Sequence, residues 1–132
     1  MIQKFKNYYH LGAASFANLM YGMPARKLTV IGVTGTDGKT TTSSLIYHVL
    51  KESGQSVSLI STVGAKIAGK DYDIGFHVTT PSSLKLQEYI RKVAESKSKY
   101  LVLEVTSHAL DQYRTFGIPF DVGVITNVTH EH

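Results

Sequence analysis

Apolar positions recur along this chain with two periods, and the switches between them lay out its elements. Leu28–Val33 and Tyr100–Val105 are short, nearly continuous β-branched and aliphatic runs, the pattern of strands buried on both faces of a parallel sheet. Two further strands are predicted over Ser56–Thr62 and Asp121–Thr126. After the first strand, Thr40–Ser53 reads as a helix with Leu45, Ile46, Val49 and Leu50 as its inward stripe and Gly54 as its stop. Thr80-Pro81 opens another helix, Thr80 as N-cap and Pro81 in the first turn, with Leu86, Ile90, Val93 and Ala94 facing inward. Ala65–Ala68 and Tyr72–His77 flank Gly69-Lys70-Asp71, which predicts a hairpin. Ahead of all this, Phe5, Tyr8, Tyr9, Gly12, Phe16 and Leu19 recur at mixed three- and four-residue spacing until Gly22 and Pro24 break the pattern. Residues 1–27 therefore read as a lead helix and linker, and 28–132 as the folded unit.

The order is strand, helix, strand, hairpin, helix, strand, short helix, strand. It argues for an α/β fold of the P-loop NTPase-like kind, a mainly parallel sheet flanked by helices. Composition narrows the picture slightly. The 132 residues fit one domain or part of one, and 42% hydrophobic content excludes wholesale disorder. The absence of cysteine removes thiolate and disulfide chemistry and suits a reducing compartment. The net charge of +4 is scattered: Lys4, Lys6, Arg26 and Lys27 early, then Lys85, Arg91, Lys92, Lys97 and Lys99 around a predicted helix. That distribution fits a solvated face and anionic small molecules better than nucleic acid. No run reaches the ~18 apolar residues of a membrane span. Leu11–Met23, interrupted by Asn18 and two glycines, lacks a signal-peptide cleavage pattern. A cytoplasmic location is the default, with a peripheral amphipathic anchor at Phe5–Tyr21 as the alternative.

The candidate chemistry centres on Gly32-Val-Thr-Gly35-Thr-Asp-Gly38-Lys39-Thr40-Thr41-Thr42, set between a predicted strand and a predicted helix. Glycines at 35 and 38 permit a tight turn with exposed N–H groups, and the positive end of the next helix adds to their pull on phosphate oxygens. Gly35, Thr36, Asp37, Gly38, Lys39, Thr40 and Thr41 are thus the candidate nucleotide-binding set. Lys39 would reach the β- and γ-phosphates, and the Thr40 hydroxyl would ligate Mg²⁺. The strict G-x-x-x-x-G-K-[ST] pattern fails at Val33, five residues before Gly38; Gly35 lies three before instead.

Glu104 interrupts an apolar strand near its carboxyl end, where ligands bind in parallel α/β sheets. It is either a Mg²⁺ ligand, direct or through water, or else an edge residue or a member of a structural ion pair. His130 and His132 flank Glu131 after the last strand, either as metal ligands or as a polar loop. His108 is a helix-cap histidine or a substrate contact. Tyr8, Tyr9 and Phe16 read as packing residues rather than a stacking platform.

Three segments taken in order resemble the Mur ligases, which join amino acids to UDP-N-acetylmuramoyl precursors of peptidoglycan. Gly32–Thr42 looks like their ATP loop, whose Thr-Gly-Thr-Asn/Asp-Gly-Lys form accounts for Val33. Glu104-Val-Thr-Ser-His-Ala-Leu110 resembles their Glu-Val-Ser-Ser-His segment, and Thr126-Asn-Val-Thr-His-Glu-His132 the start of Thr-Asn-Leu-x-x-Asp-His. The Ser-His pair and His77-Val-Thr-Thr-Pro81 favour the branch that adds the third peptide residue. The resemblance implies ATP and Mg²⁺ as cofactors. It gives catalytic roles to Lys39, Glu104 and His132, with Thr40, Glu104 and His132 at the metal. It implies that Thr79, Thr80, Ser107, Gln112 and Arg114 hold the nucleotide-sugar peptide. The implied reaction passes the ATP γ-phosphate to a peptide carboxylate, and an amino-acid amine then displaces phosphate from the acyl phosphate.

The resemblance covers about 28–132 and stops inside its third motif. Such ligases have a uridine-binding domain before this region and an amino-acid-binding domain after it. The expectation is therefore of a partial central domain, incomplete at the C-terminus, monomeric and without complete turnover of its own. A ligase of the folylpolyglutamate synthase or cyanophycin synthetase type, and a non-catalytic nucleotide-binding module, stay open as alternatives.

Overall fold

The two most continuous apolar runs pair as neighbouring interior strands of a sheet. In the computed structural model, which describes residues 2–20, 28–61, 64–72, 83–106 and 118–129, β1 (Thr29–Thr34) lies parallel to β5 (Tyr100–Glu104), with Thr29 opposite Tyr100 and Val33 opposite Glu104. β2 (Val57–Ser61) is parallel to β5 on its other side, and β6 (Val122–Ile125) is parallel to β1. The hairpin β3 (Gly64–Ile67) and β4 (Lys70–Tyr72) adds two antiparallel strands, giving the order β4-β3-β2-β5-β1-β6. The mainly parallel α/β sheet read from the sequence is the one observed. The short helix expected before the last strand falls at 107–117, outside the described residues.

Alternate residues of each strand serve opposite faces. On one face Val30, Ile60, Leu101, Leu103 and Val105 pack with Leu86, Ile90 and Val93 of α3 (Ser83–Glu95), as the helical spacing predicts. Each such side chain contributes about 1.5–3 kcal/mol by leaving water. The lead helix α1 (Ile2–Met20) packs outside α3 rather than on the sheet. On the other face Val33, Val57, Leu59 and Val102 meet α2 (Lys39–Glu52).

The inward stripe of α2 corrects the expected one. Ser43 and Tyr47 are buried and Ile46 and Leu50 pack beside them, whereas Leu45 and Val49 are 60% and 67% exposed. The stripe keeps helical spacing but is rotated, because Ser43 satisfies its hydroxyl on Lys39 O at 2.7 Å and can face the sheet without cost. The helix ends where Gly54 predicts. Gly54 has φ 90°, its N–H donates to Lys51 O, and Gln55 N–H donates to Leu50 O, the paired bonds of a Schellman stop.

The hairpin also differs from expectation. Its turn is Ala68-Gly69, with φ 52° and 79°, so the second arm begins at Lys70 and not at Tyr72. Positive φ at both central positions matches the twist of the flanking strands. Across it Asp71 accepts a bond from Lys66 Nζ at 3.0 Å, and this bond, with the carboxylate's charge, raises the lysine pKa above 10.5.

β6 is fastened to β1 at its start by Asp121. The Asp121 carboxylate accepts from Val30 N–H at 2.8 Å, and Asp121 N–H donates to Val30 O at 2.9 Å. Phe120 lies so close to Gly32 that an added Cβ would sit 2.6 Å from its ring. Among the described residues no helix is long and apolar enough to cross a membrane.

Candidate functional site

β1 leaves the sheet between β5 and β6, and its chain turns at Gly35–Gly38 into α2, which crosses towards β2. That crevice outside the carboxyl ends of the strands is where open α/β sheets bind ligands. Gly38 is the N-cap of α2, left-handed at φ 83° and without a side-chain cap. The first helical bond runs from Thr42 N–H to Gly38 O at 2.9 Å. The amides ahead of it therefore have no acceptor within the helix and point out of its positive end.

Thr36, Asp37, Gly38, Lys39, Thr40, Thr41 and Glu104 line one open recess of about 300 Å³. Six of the seven loop residues named from sequence are in that lining, together with the acid found 64 positions later. The remaining one, Gly35, lies behind the recess against Thr126 and Asn127, where an added Cβ would overlap Thr126 Oγ1. Its φ of 143° adds a backbone reason for glycine.

Glu104 ends β5 with only 2% of its surface exposed, and its register partner Val33 ends the apolar part of β1. The carboxylate is held against the loop. Thr40 Oγ1 donates to it at 3.0 Å from Oε1 and 3.1 Å from Oε2. The two oxygen groups assigned to a magnesium ion thus converge from elements distant in sequence. A hydroxyl beside a carboxylate is an all-oxygen donor set of the kind a hard divalent cation takes, so the residues present fit Mg²⁺. Lys39 is folded over the loop, its Nζ donating to Gly35 O at 2.8 Å and Thr36 O at 3.2 Å. Those carbonyls hold the ammonium at the edge of the recess.

Thr36 and Asp37 belong to the candidate nucleotide-binding set, and their own amides are engaged within the chain. Both already donate to Asn127 Oδ1, at 3.0 and 2.9 Å, and Thr36 N–H also reaches Asn127 O at 3.2 Å. From Gly38 onward the loop residues line the recess at the uncapped N-terminus of α2. Asn127 was missed by sequence reasoning; the only signal for it was its place between Thr126 and His132 in the third segment. His132, Thr79, Thr80, Ser107, Gln112 and Arg114 lie outside the described residues, as do His77, His108, His130 and Glu131. Among the described residues no cluster of three or more histidines and acids could hold a metal ion.

A doubly covered parallel sheet, a glycine loop entering a helix, and an acid from the neighbouring strand meeting that helix define a phosphate-loop domain of a specific kind. The chain belongs to the Mur ligase family, since residues 33–132 match the family's middle domain. Among curated relatives it is 43% identical over 119 residues to the UDP-N-acetylmuramoyl-L-alanyl-D-glutamate--2,6-diaminopimelate ligase of Geobacillus thermodenitrificans, covering 90% of this chain and 24% of that protein. It is 42% identical over 120 residues to the UDP-N-acetylmuramyl-tripeptide synthetase of Deinococcus radiodurans, covering 90% and 24%. A solved UDP-N-acetylmuramoyl-L-alanyl-D-glutamate--2,6-diaminopimelate ligase superposes with TM-score 0.70 at 32% identity, over 80% of this chain and 21% of that one. The chain thus spans about a quarter of the length of the curated relatives it matches.

Proposed function

We propose that this chain supplies the ATP-binding part of a ligase that adds an amino acid to a UDP-N-acetylmuramoyl-peptide in peptidoglycan synthesis. The observation that carries the reading is the convergence of Lys39, Thr40 and Glu104 on one recess at the open N-terminus of α2. The triphosphate would lie on the amides from Gly38 to Thr41. Lys39 would exchange the carbonyls of Gly35 and Thr36 for the β- and γ-phosphate oxygens. Thr40 and Glu104, joined by His132, would hold Mg²⁺, which supplies positive charge against the phosphate oxygens when bound.

In the reaction, a carboxylate oxygen of the peptide attacks the γ-phosphorus of ATP and ADP leaves. The amine nitrogen then attacks the acyl carbon, inorganic phosphate leaves, and the amine proton is lost to solvent. Negative charge grows on the transferring oxygens in both steps. The fixed amides and Lys39 stabilise it without reorganising, and no covalent nucleophile from the chain is needed. Thr79, Thr80, Ser107, Gln112 and Arg114 are assigned to the muramoyl-peptide by their place in the family motifs. Relatives named for diaminopimelate and for the tripeptide synthetase match at 43% and 42%, so the proposal stops at an amino acid as the second substrate. A cytoplasmic location and a monomeric state go with this reading.

Calorimetric titration of the 132-residue chain with Mg-ATP tests it. Binding should weaken about tenfold to a hundredfold in Lys39→Ala, the loss of a charge-assisted contact. Equal binding by that variant, or no binding by the unaltered chain, refutes the proposal.

A further inference from the structure

Asn127 has no part in the reading above, yet its contacts are with the phosphate loop. It follows β6 on the same carboxyl edge of the sheet. Its Oδ1 accepts from two successive loop amides, Thr36 N–H at 3.0 Å and Asp37 N–H at 2.9 Å. Its backbone oxygen accepts from Thr36 N–H at 3.2 Å. The neighbours of Asn127 join in. Thr126 Oγ1 donates to Asp37 O at 2.6 Å, Thr126 N–H to Thr34 O at 2.9 Å, and Thr129 N–H to Thr36 Oγ1 at 3.1 Å. Gly35 has no side chain where Thr126 and Asn127 press closest.

A single oxygen receiving two consecutive amides is what a phosphate oxygen would do in the same place. Two roles are open to such an oxygen. It could plug the anion site and be expelled by nucleotide, or it could hold the first half of the loop so that the second half faces the anion. The surrounding bonds decide for the second. Rotating the Asn127 side chain away would not free Thr36 N–H, which the Asn127 backbone oxygen also holds, and the Thr126 and Thr129 bonds fasten the same stretch to the loop. The recess that holds Lys39, Thr40 and Glu104 is open with Asn127 in place. We propose that Asn127 is a positioning residue for the phosphate loop: it ties down Thr36 and Asp37, and anion binding is left to the donors from Gly38 onward.

The proposal deepens the nucleotide reading and rests on it for affinity, but not for the state of the two amides. The decisive experiment is amide hydrogen exchange by NMR on the ¹⁵N-labelled chain, free and saturated with Mg-ATP. Thr36 and Asp37 amides should be protected in both states, while the largest shifts on titration fall on Gly38 to Thr41. Loss of protection at Thr36 and Asp37 on adding nucleotide, or its absence in the free chain, overturns the proposal. Asn127→Leu should leave those amides exchanging freely and weaken ATP binding about tenfold, as expected for two lost hydrogen bonds that position a binding loop. Asn127→Asp, which keeps the acceptor oxygen, should retain the protection. Tighter or unchanged ATP binding by a folded Asn127→Leu overturns the positioning role. If Asn127→Leu fails to fold, the exchange pattern of the unaltered chain and of Asn127→Asp decides alone. Should the chain bind no ATP while both amides are protected, the nucleotide reading fails and with it the role of the latch in affinity; the latch bonds themselves are then established separately.

Discussion

Replacing Gly35 by alanine separates two reasons for a glycine in this loop. Gly35 and Gly38 both have positive φ, 143° and 83°, so both resist a Cβ on backbone grounds. They differ in surroundings. Nothing lies within 4 Å of a Cβ built on Gly38, whereas one built on Gly35 overlaps Thr126 Oγ1 and comes within 3.1 Å of Asn127 N and O. Gly38→Ala should therefore cost only the left-handed strain, about 1–2 kcal/mol. Gly35→Ala carries a backbone cost of about 1–3 kcal/mol. It also drives the Thr126 hydroxyl from its bond to Asp37 O at 2.6 Å. At about 0.5–1.5 kcal/mol for that bond, the sum is about 1.5–4.5 kcal/mol. For a chain of this size that is roughly 3–4 °C in Tm per kcal/mol. Urea unfolding followed by circular dichroism reads the difference, provided the m-value holds constant across the variants. If Gly38→Ala proves as destabilising as Gly35→Ala, close packing by Thr126 is not what excludes a side chain at 35.

Thr40→Ala takes from the buried Glu104 carboxylate the hydroxyl it accepts at 3.0 and 3.1 Å; unfolding free energy should fall by about 1.5–3 kcal/mol, and ATP binding should lose its dependence on Mg²⁺ in paired titrations with and without EDTA. Ile90→Ala empties a fully buried site between α3 and the sheet and should cost about 2–5 kcal/mol in urea melts, leaving ATP affinity of the folded fraction unchanged. Lys66 has its pKa raised by Asp71, so what the pair contributes is fully present below the unfolded value of 10.5 and is lost as pH rises through the higher folded value. Asp71→Asn should flatten that alkaline decline in stability, and since both side chains are exposed the change will be small.

Much of the architecture was legible because burial and composition coincide in it. β1 and β5 are apolar runs flanked by turn residues, and they are neighbouring interior strands, each paired on both sides. The inward face of α3 was readable because Leu86, Ile90 and Val93 are apolar and buried together. α2 was misread because polarity and burial part company there: Ser43 is buried with its hydroxyl satisfied, while Leu45 and Val49 face outward. The second arm of the hairpin was placed two residues late because Ala68 takes a left-handed conformation that its residue type does not announce. In the site, the pairing of Thr40 with Glu104 followed from the rule that loops gather at strand carboxyl ends. The latch by Asn127 follows no local rule. It depends on a contact between residues 91 positions apart, fixed by β6 lying beside β1.

That separation has a kinetic side. The loop from Gly35 to Gly38 is short, and α2 can begin to form with local contacts alone. Its working shape depends on strands that close over large spans, β5 and then β6, each against β1. Closing such spans costs chain entropy before any contact rewards it, which delays the contacts that need them. During synthesis, the residues that finish the phosphate loop leave the ribosome long after the loop itself. Under the proposed function, a nascent chain holding Lys39 and Thr40 but not yet Thr126 and Asn127 carries the binding sequence without the binding shape, so nucleotide capture would be a late event in folding rather than a nucleus for it.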